Sequence, residues 1–414
     1  MAFNMLKIKF LNKNYNKLYK FADQLSFSLL NIGVVLFASV FLEPAQASKY
    51  IIMNVYSSYS LVLIMAFVIT PFWVFCSDKN KKKQYNKFSL RLALVVSAIV
   101  GSIVFFIVLI EEGSMTYAFT VFYLTISYSI YDFLRRSFFI INKDSIAAFL
   151  STMLIVATIV SYAIMLLLNI TDATTYLFTQ ALILTTITMA GYILNRKEYG
   201  EPNNNIDYWC LCKQYLSIGK WSAASMTCFW LATQGVFIIY ENNVEPQFLA
   251  LTRLALSVSG VIAIYFSSIE NKIMPELSNQ ISLEKYSEVN KIAERYLKNS
   301  LYASIVLTIL LILASSLIIG ANNKYLFLIL VMCIYQCISG VLKIFPFILK
   351  AKKRHKDIFL SNLLSILIIF PSTTYLYNFN INFIKENILT IIIFFNGIFS
   401  SLLYIYFTLF ERGK

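Results

Sequence analysis

Apolar residues in this chain do not follow a strand period or one helical face; they come in unbroken runs separated by short polar joints. The runs fall at 22–42, 50–76, 92–110, 115–134, 146–168, 174–194, 219–240, 247–269, 299–319, 325–349, 358–376 and 388–409. Each is close to the roughly 20 residues that a helix, rising about 1.5 Å per residue, needs to cross a hydrocarbon core of about 30 Å. In that core a helix satisfies its own backbone polar groups, which an open strand cannot do. The pattern predicts an all-α polytopic membrane protein of about 12 transmembrane helices.

Composition agrees. Apolar residues make up 58% of the 414 and charged residues 14%, against about 25% charged in soluble domains. A formal charge of +14 would suggest nucleic acid in a soluble protein. Here its distribution gives another reading, because Lys and Arg near span ends set orientation. With the spans threaded alternately, all basic residues but Lys49, Lys324, Lys385 and the intraspan Arg253 count to the N-terminal side. They include Lys7, Lys9, Lys13, Lys17 and Lys20, the tract from Lys79 to Lys87, and Lys350 to Lys356. Both termini are therefore expected in the cytoplasm, with anionic membrane lipid as the partner of the basic side and no nucleic acid. Ala45-Gln46-Ala47 resembles a signal-cleavage site, but the preceding run is long and charge alternation continues past it.

The chain divides into an N-terminal six-helix bundle over 1–194, a cytoplasmic linker over 195–218 and a C-terminal six-helix bundle over 219–414. A second charged connection, 270–298, is expected to carry a surface helix over 283–297. Glu43-Pro44 before the second span and Glu245-Pro246 before the eighth are a weak internal echo, of the kind expected of transporters built from repeats. No external joint exceeds about a dozen residues, which excludes a sizeable extracytoplasmic catalytic domain. Six cysteines without paired spacing and the single His355 argue against zinc and structural disulfides. There is no nucleotide-binding loop and no metal-ligand array, so neither ATP hydrolysis by this chain nor a cofactor is expected. A Na+ or H+ gradient, the cargo gradient or downstream consumption is left as the driving force.

Function is then sought among charges within spans. Arg253 lies seven residues inside the eighth span. Such a guanidinium faces an anion in a wet cavity, snorkels to the interface, or forms a structural ion pair. Arg135, Arg136, Lys220 and Lys343 are weaker anion candidates near span mouths. Asp132, three and four residues before the two arginines, is a local ion-pair partner or a gating or coupling group. Asp23 has the same two readings, with a helix-start charge preferred. Gln24, Asn31, Gln180, Gln234 and Gln336 supply hydrogen-bonding groups for sugars or for helix association.

The stretch Tyr131-Asp132-Phe133-Leu134-Arg135-Arg136-Ser137-Phe138-Phe139, the acidic-proline turns, and the segment from Glu245-Pro246 through Arg253 to Ile273-Met274-Pro275-Glu276-Leu277-Ser278 resemble Wzx-type polysaccharide flippases. These are O-antigen or capsule repeat-unit translocases within the multidrug/oligosaccharidyl-lipid/polysaccharide exporter superfamily. The resemblance implies a V-shaped pair of six-helix bundles in the bacterial inner membrane. It implies translocation of an isoprenoid-diphosphate-linked oligosaccharide to the outer leaflet, beside the polymerase and chain-length regulator of the same pathway. Arg253 would be the leading headgroup contact. The alternative is a multidrug or cation antiporter of the same superfamily; a repeat-unit polymerase fits the short external joints poorly. A major-facilitator carrier lacks its glycine- and arginine-patterned loop at Ser77-Asp78-Lys79-Asn80-Lys81-Lys82-Lys83.

The charge pattern predicts that a single cysteine placed within 195–218 of a cysteine-free chain resists an impermeant thiol reagent applied to intact cells. Labelling from outside would overturn the orientation.

Overall fold

The computed structural model describes residues 2–75, 82–141, 143–199, 208–319, 323–352, 354–379 and 382–409. Cys76, Lys79, Lys81, Lys353 and linker positions 200–207 lie outside the described residues. Everything described is helical or turn. The helices are α1 (Ala2–Phe41), α2 (Pro44–Ile64), α3 (Thr70–Phe75), α4 (Lys82–Glu112), α5 (Met115–Ile140), α6 (Asp144–Leu167) and α7 (Ala173–Asn195). They continue as α8 (Tyr208–Trp230), α9 (Val236–Ile239), α10 (Pro246–Ser282), α11 (Tyr286–Ile319), α12 (Asn323–Val341), α13 (Ile344–Ala351), α14 (His355–Tyr377) and α15 (Asn382–Leu409). π-helical turns join α2 to α3 over Met65–Ile69 and α8 to α9 over Leu231–Gly235.

Among the described residues, 11 helical stretches are long and apolar enough to span a membrane. The remaining span-length helix is α5, 26 residues long, whose Ser, Thr, Tyr and charged side chains dilute its apolar content. That content is tolerated because α5 packs against α2, α4, α6 and α7. Its hydroxyls bond back to carbonyls one turn earlier, as in Thr125 to Val121 at 2.7 Å, and across to neighbours, as Ser127 to Thr185 at 2.8 Å and Ser129 to Ser60 at 2.5 Å. Interhelical bonds of this kind hold spans together where hydrophobicity gives no preference between helix and lipid. Outward faces are the reverse: Val95, Ile99, Ile103 and Phe106 on α4, and Leu301, Ile305, Ile309, Leu313 and Leu317 on α11, are exposed apolar stripes. Continuous apolar stripes of this kind belong against lipid.

Helix ends follow local chemistry. Pro44 and Pro246 each sit in the first turn of their helix, where no amide donor is missed. Asp172 caps α7 by accepting from the Thr175 amide at 2.9 Å. Between α12 and α13 the ladder breaks at Leu342–Lys343 because Pro346 has no amide for the Leu342 carbonyl, which takes the Phe345 N–H instead at 3.2 Å.

The helices run past several expected boundaries. Residues 208–218 of the expected linker are the first turns of α8, and 270–282 continue α10 without interruption. The expected surface helix over 283–297 is instead the start of α11, which runs on from Tyr286 into the ninth span. Neither the charges of these stretches nor Pro275, which lies inside the uninterrupted α10, ends the helix.

The chain forms two compact units, Met1–Ala223 and Ala224–Lys414, with the division inside α8. In the first unit, Tyr215 on α8 stacks on Phe75 at 5.4 Å and hydrogen-bonds Ser89 at 2.9 Å. Gly219 lies against the π-turn; a β-carbon there would sit 2.9 Å from the Ala66 carbonyl. In the second unit, α10 packs on α11, α12 and α13, and α14 pairs with α15.

Gly340 of α12 lies so close to the Phe266 ring that any β-carbon overlaps it. Gly340→Ala is expected to lower stability by about 1–3 kcal/mol, the usual cost of overpacking. A thermal midpoint in detergent at or above wild type would contradict this packing.

Candidate functional site

The first unit holds a buried ion network. Asp132, Arg135 and Arg136 share one face of α5 at i, i+3 and i+4. Arg135 donates to Asp132 at 2.8 Å through one terminal nitrogen and to Asp23 of α1 at 2.5 Å through the other. Arg136 donates to the second Asp132 oxygen at 2.8 Å. Ser151 of α6 donates to the second Asp23 oxygen at 2.5 Å and is itself 2.9 Å from the Tyr131 hydroxyl. The Arg135 guanidinium also lies 4.2 Å from the centre of the Phe27 ring. Side-chain exposure is 0% for Asp23 and 2% for Asp132 and Arg135. Two carboxylates and two guanidiniums cancel formally, which is the condition for keeping such groups in a span.

This geometry corrects the helix-start reading of Asp23. Its helix begins at Ala2, so Asp23 is a mid-helix charge held by an arginine 112 residues away. A phosphate would reach Arg135 only by displacing Asp23 or Asp132, whereas Arg136, 28% exposed, stays accessible. Asn31 lies beside this cluster and accepts from Tyr128. Gln180 accepts from Tyr50 at 3.0 Å, so it serves helix association here.

The second unit contains Arg253 and Lys343. Arg253 is half-buried on α10, donates to Gln234 and lies 5.6 Å from the Phe237 ring centre. Gln234 belongs to the π-helical turn Leu231–Gly235; the wider turn sets where its amide points. Lys343, at the α12–α13 break, is 3.5 Å from Glu270, which also accepts from Lys350 at 2.7 Å. Burial pushes the Glu270 carboxyl up, but Lys350 and Lys343 outweigh it and hold the group below the usual carboxylate range. Glu270 escaped the sequence reading; its signal was a lone carboxylate ending an apolar run. Deeper in the unit, Asn362 donates to Ser225 at 3.1 Å and accepts from Tyr404 at 2.6 Å, and Ser365 donates to Asn396 at 2.5 Å. Lys220 is exposed on α8, next to the tightly packed Gly219. Among the described residues no group of His, Cys, Asp and Glu could hold a metal ion.

No protein-family profile and no curated protein sequence matches the chain. Solved structures do match over nearly the full length. A multidrug resistance MATE-family transporter of the MOP superfamily in its inward-facing conformation aligns at TM-score 0.62 and 12% identity, over 96% of this chain and 94% of that one. An outward-facing MATE structure of the same description gives 0.62 at 10% identity, over 95% and 96%. The Vibrio cholerae MATE transporter VcmN in its bent form gives 0.59 at 11%, over 99% and 98%. The fold of this multi-pass, all-α chain is that of the MATE transporters of the MOP superfamily.

Arg135→Met leaves Asp23 without its guanidinium and is expected to cost about 3–5 kcal/mol. Asp23→Asn combined with Arg135→Gln, which keeps the Asp132–Arg136 pair, is expected to cost much less than the sum of the single changes. Additive losses in detergent thermal unfolding would show that the two residues are not coupled.

Proposed function

We propose that this chain is a secondary transporter of the bacterial inner membrane, with both termini cytoplasmic. Its cargo in this reading is an isoprenoid-diphosphate-linked oligosaccharide repeat unit, moved to the outer leaflet by alternating access without covalent chemistry. The observation that carries the cargo assignment is Arg253, a half-buried guanidinium partway along a spanning helix, oriented by Gln234 and Phe237. Its planar donor fork suits phosphate oxygens. Lys343 and Arg136 are secondary contacts; Arg135 and Lys220 are weaker ones on their geometry. The lipid tail needs no polar path, since it can stay in hydrocarbon while the head crosses.

Asp23 and Asp132 are the gating or coupling candidates, because two carboxylates depend on one shared arginine. A change in that sharing would loosen α1 from α5, and Na+ or H+ would be the coupling ion. Membrane lipids, a polymerase and a chain-length regulator are the expected partners.

Multidrug or cation antiport is the second reading, and the comparisons support it more directly, since the matching structures are multidrug MATE transporters.

Purified protein in vesicles decides between the two. Arg253→Ala is expected to cut translocation of a fluorescent isoprenyl-diphosphate oligosaccharide by roughly 10- to 100-fold, as for loss of one charged hydrogen-bonding contact, with Arg253→Lys intermediate. Undiminished translocation in Arg253→Ala would reject its role. Efflux of a cationic dye under an imposed Na+ or H+ gradient, with no movement of the lipid-linked sugar, would select the second reading.

A further inference from the structure

Glu270, Lys343 and Lys350 form a cradle far along α10 from Arg253. Lys343 and Lys350 are seven residues apart, two helical turns, and so lie on one face of α13 and its preceding residue. Both ammonium groups converge on the Glu270 carboxylate, at 3.5 Å and 2.7 Å. Both also lie over the Phe347 ring, 5.8 Å and 5.6 Å from its centre. Side-chain exposures of 31% for Lys343, 39% for Lys350 and 23% for Glu270 leave all three groups partly accessible. Among these three groups two cations meet one anion, and Lys352, Arg354 and Lys356 follow within six residues.

Two lysines held around one carboxylate also fit a phosphoryl group. A carboxylate and a phosphate compete for the same donors, and the phosphate brings more charge and more acceptor oxygens. We propose that this cradle is a phosphoryl-binding site separate from Arg253, in which Glu270 is a resident counter-anion that the incoming phosphate displaces from Lys343 and Lys350.

The separation makes the two sites successive. Seventeen residues of helix put Glu270 about 26 Å from Arg253 along α10, far more than one diphosphate spans. The charge asymmetry sets the cradle on the cytoplasmic side and Arg253 toward the Pro246 end. A diphosphate would therefore be received first at the lysines and reach Arg253 later. Displacement has a mechanical effect as well, because the Glu270 bridges tie α10 to α13. Occupancy of the cradle cuts that tie, so arrival of the headgroup loosens α10 from α13. The physiological ligand rests on the diphosphate-cargo reading above; the site itself requires only a phosphoryl anion.

The test is inorganic pyrophosphate titrated onto the full chain in zwitterionic-lipid nanodiscs. Glu270→Gln removes the competitor and is expected to tighten binding roughly tenfold, while Lys343→Gln with Lys350→Gln abolishes it. Lys291→Gln, on the surface of α11, serves as the control for diffuse charge and should bind as wild type. Unchanged or weaker binding by Glu270→Gln would overturn the proposal and make the triad a structural clamp. If that variant does not fold, Lys350→Gln alone, in which Glu270 keeps Lys343, must weaken binding; wild-type affinity there overturns the proposal equally.

Competition by isoprenyl diphosphate assigns the site to a lipid-linked head, and competition by phosphatidylglycerol in the disc assigns it to inner-leaflet lipid; either upholds a phosphoryl site. Binding and transport fail separately. Lost pyrophosphate binding beside intact sugar-lipid translocation rejects the cradle and leaves the cargo, whereas intact binding in a protein that exports only cationic dyes rejects the cargo and leaves the cradle.

Discussion

A charge set among hydrocarbon chains has to find its opposite inside the protein, and the first unit is organised around that requirement. Arg135 is the hinge of the arrangement. It spends one terminal nitrogen on Asp132 of its own helix and the other on Asp23 of α1, while Ser151 brings α6 to the same carboxylate. Three helices thereby meet at the Asp23 carboxylate of α1, which takes Arg135 of α5 on one oxygen and Ser151 of α6 on the other. The polar character of α5 depends on the same enclosure: a helix with so many hydroxyls, two aspartate-arginine contacts and stacked tyrosines is stable only with other spans around it.

The second unit treats charge differently. Three of its basic groups are only partly covered and lie beside both an aromatic ring and a polar partner: Arg253 by Phe237 and Gln234, Lys343 and Lys350 by Phe347 and Glu270. A cation over a ring keeps its orientation without being fully neutralised.

How much of this the sequence discloses depends on the range of the interaction. Apolar runs are local, and the spans read from them match helices in the structure. Glu43-Pro44 and Glu245-Pro246 are legible as helix starts for the same reason, since proline's effect is confined to one turn. Helix ends in water are less legible: 208–218 and 270–282 carry polar residues that a helix accepts readily, and even Pro275 lies inside the uninterrupted α10, so the helices do not end where the apolar runs do. Pro346 does signal the break before α13, but Pro371 sits inside an unbroken α14, so proline alone does not settle the matter. The Asp23–Arg135 pair has no local signature at all. Asp23 looked like a helix-start charge because the apolar run begins beside it, while the helix itself begins about twenty residues earlier. Glu270 was missed for a related reason: its partners lie 73 and 80 residues away on a segment whose lysines look like ordinary orienting charge.

The hairpin of α10 and α11 has a practical consequence. At 37 and 34 residues these helices are about 55 and 51 Å long, well beyond the roughly 30 Å of hydrocarbon. They meet in a three-residue turn at Leu283–Lys285, with Glu284 at φ 56°. Because both arms are continuous with spans, a folded module grafted into that turn would be carried rigidly rather than on a tether. For a 47.5 kDa membrane protein with short loops, it is a natural mount for a fiducial by which single particles can be aligned in electron cryomicroscopy.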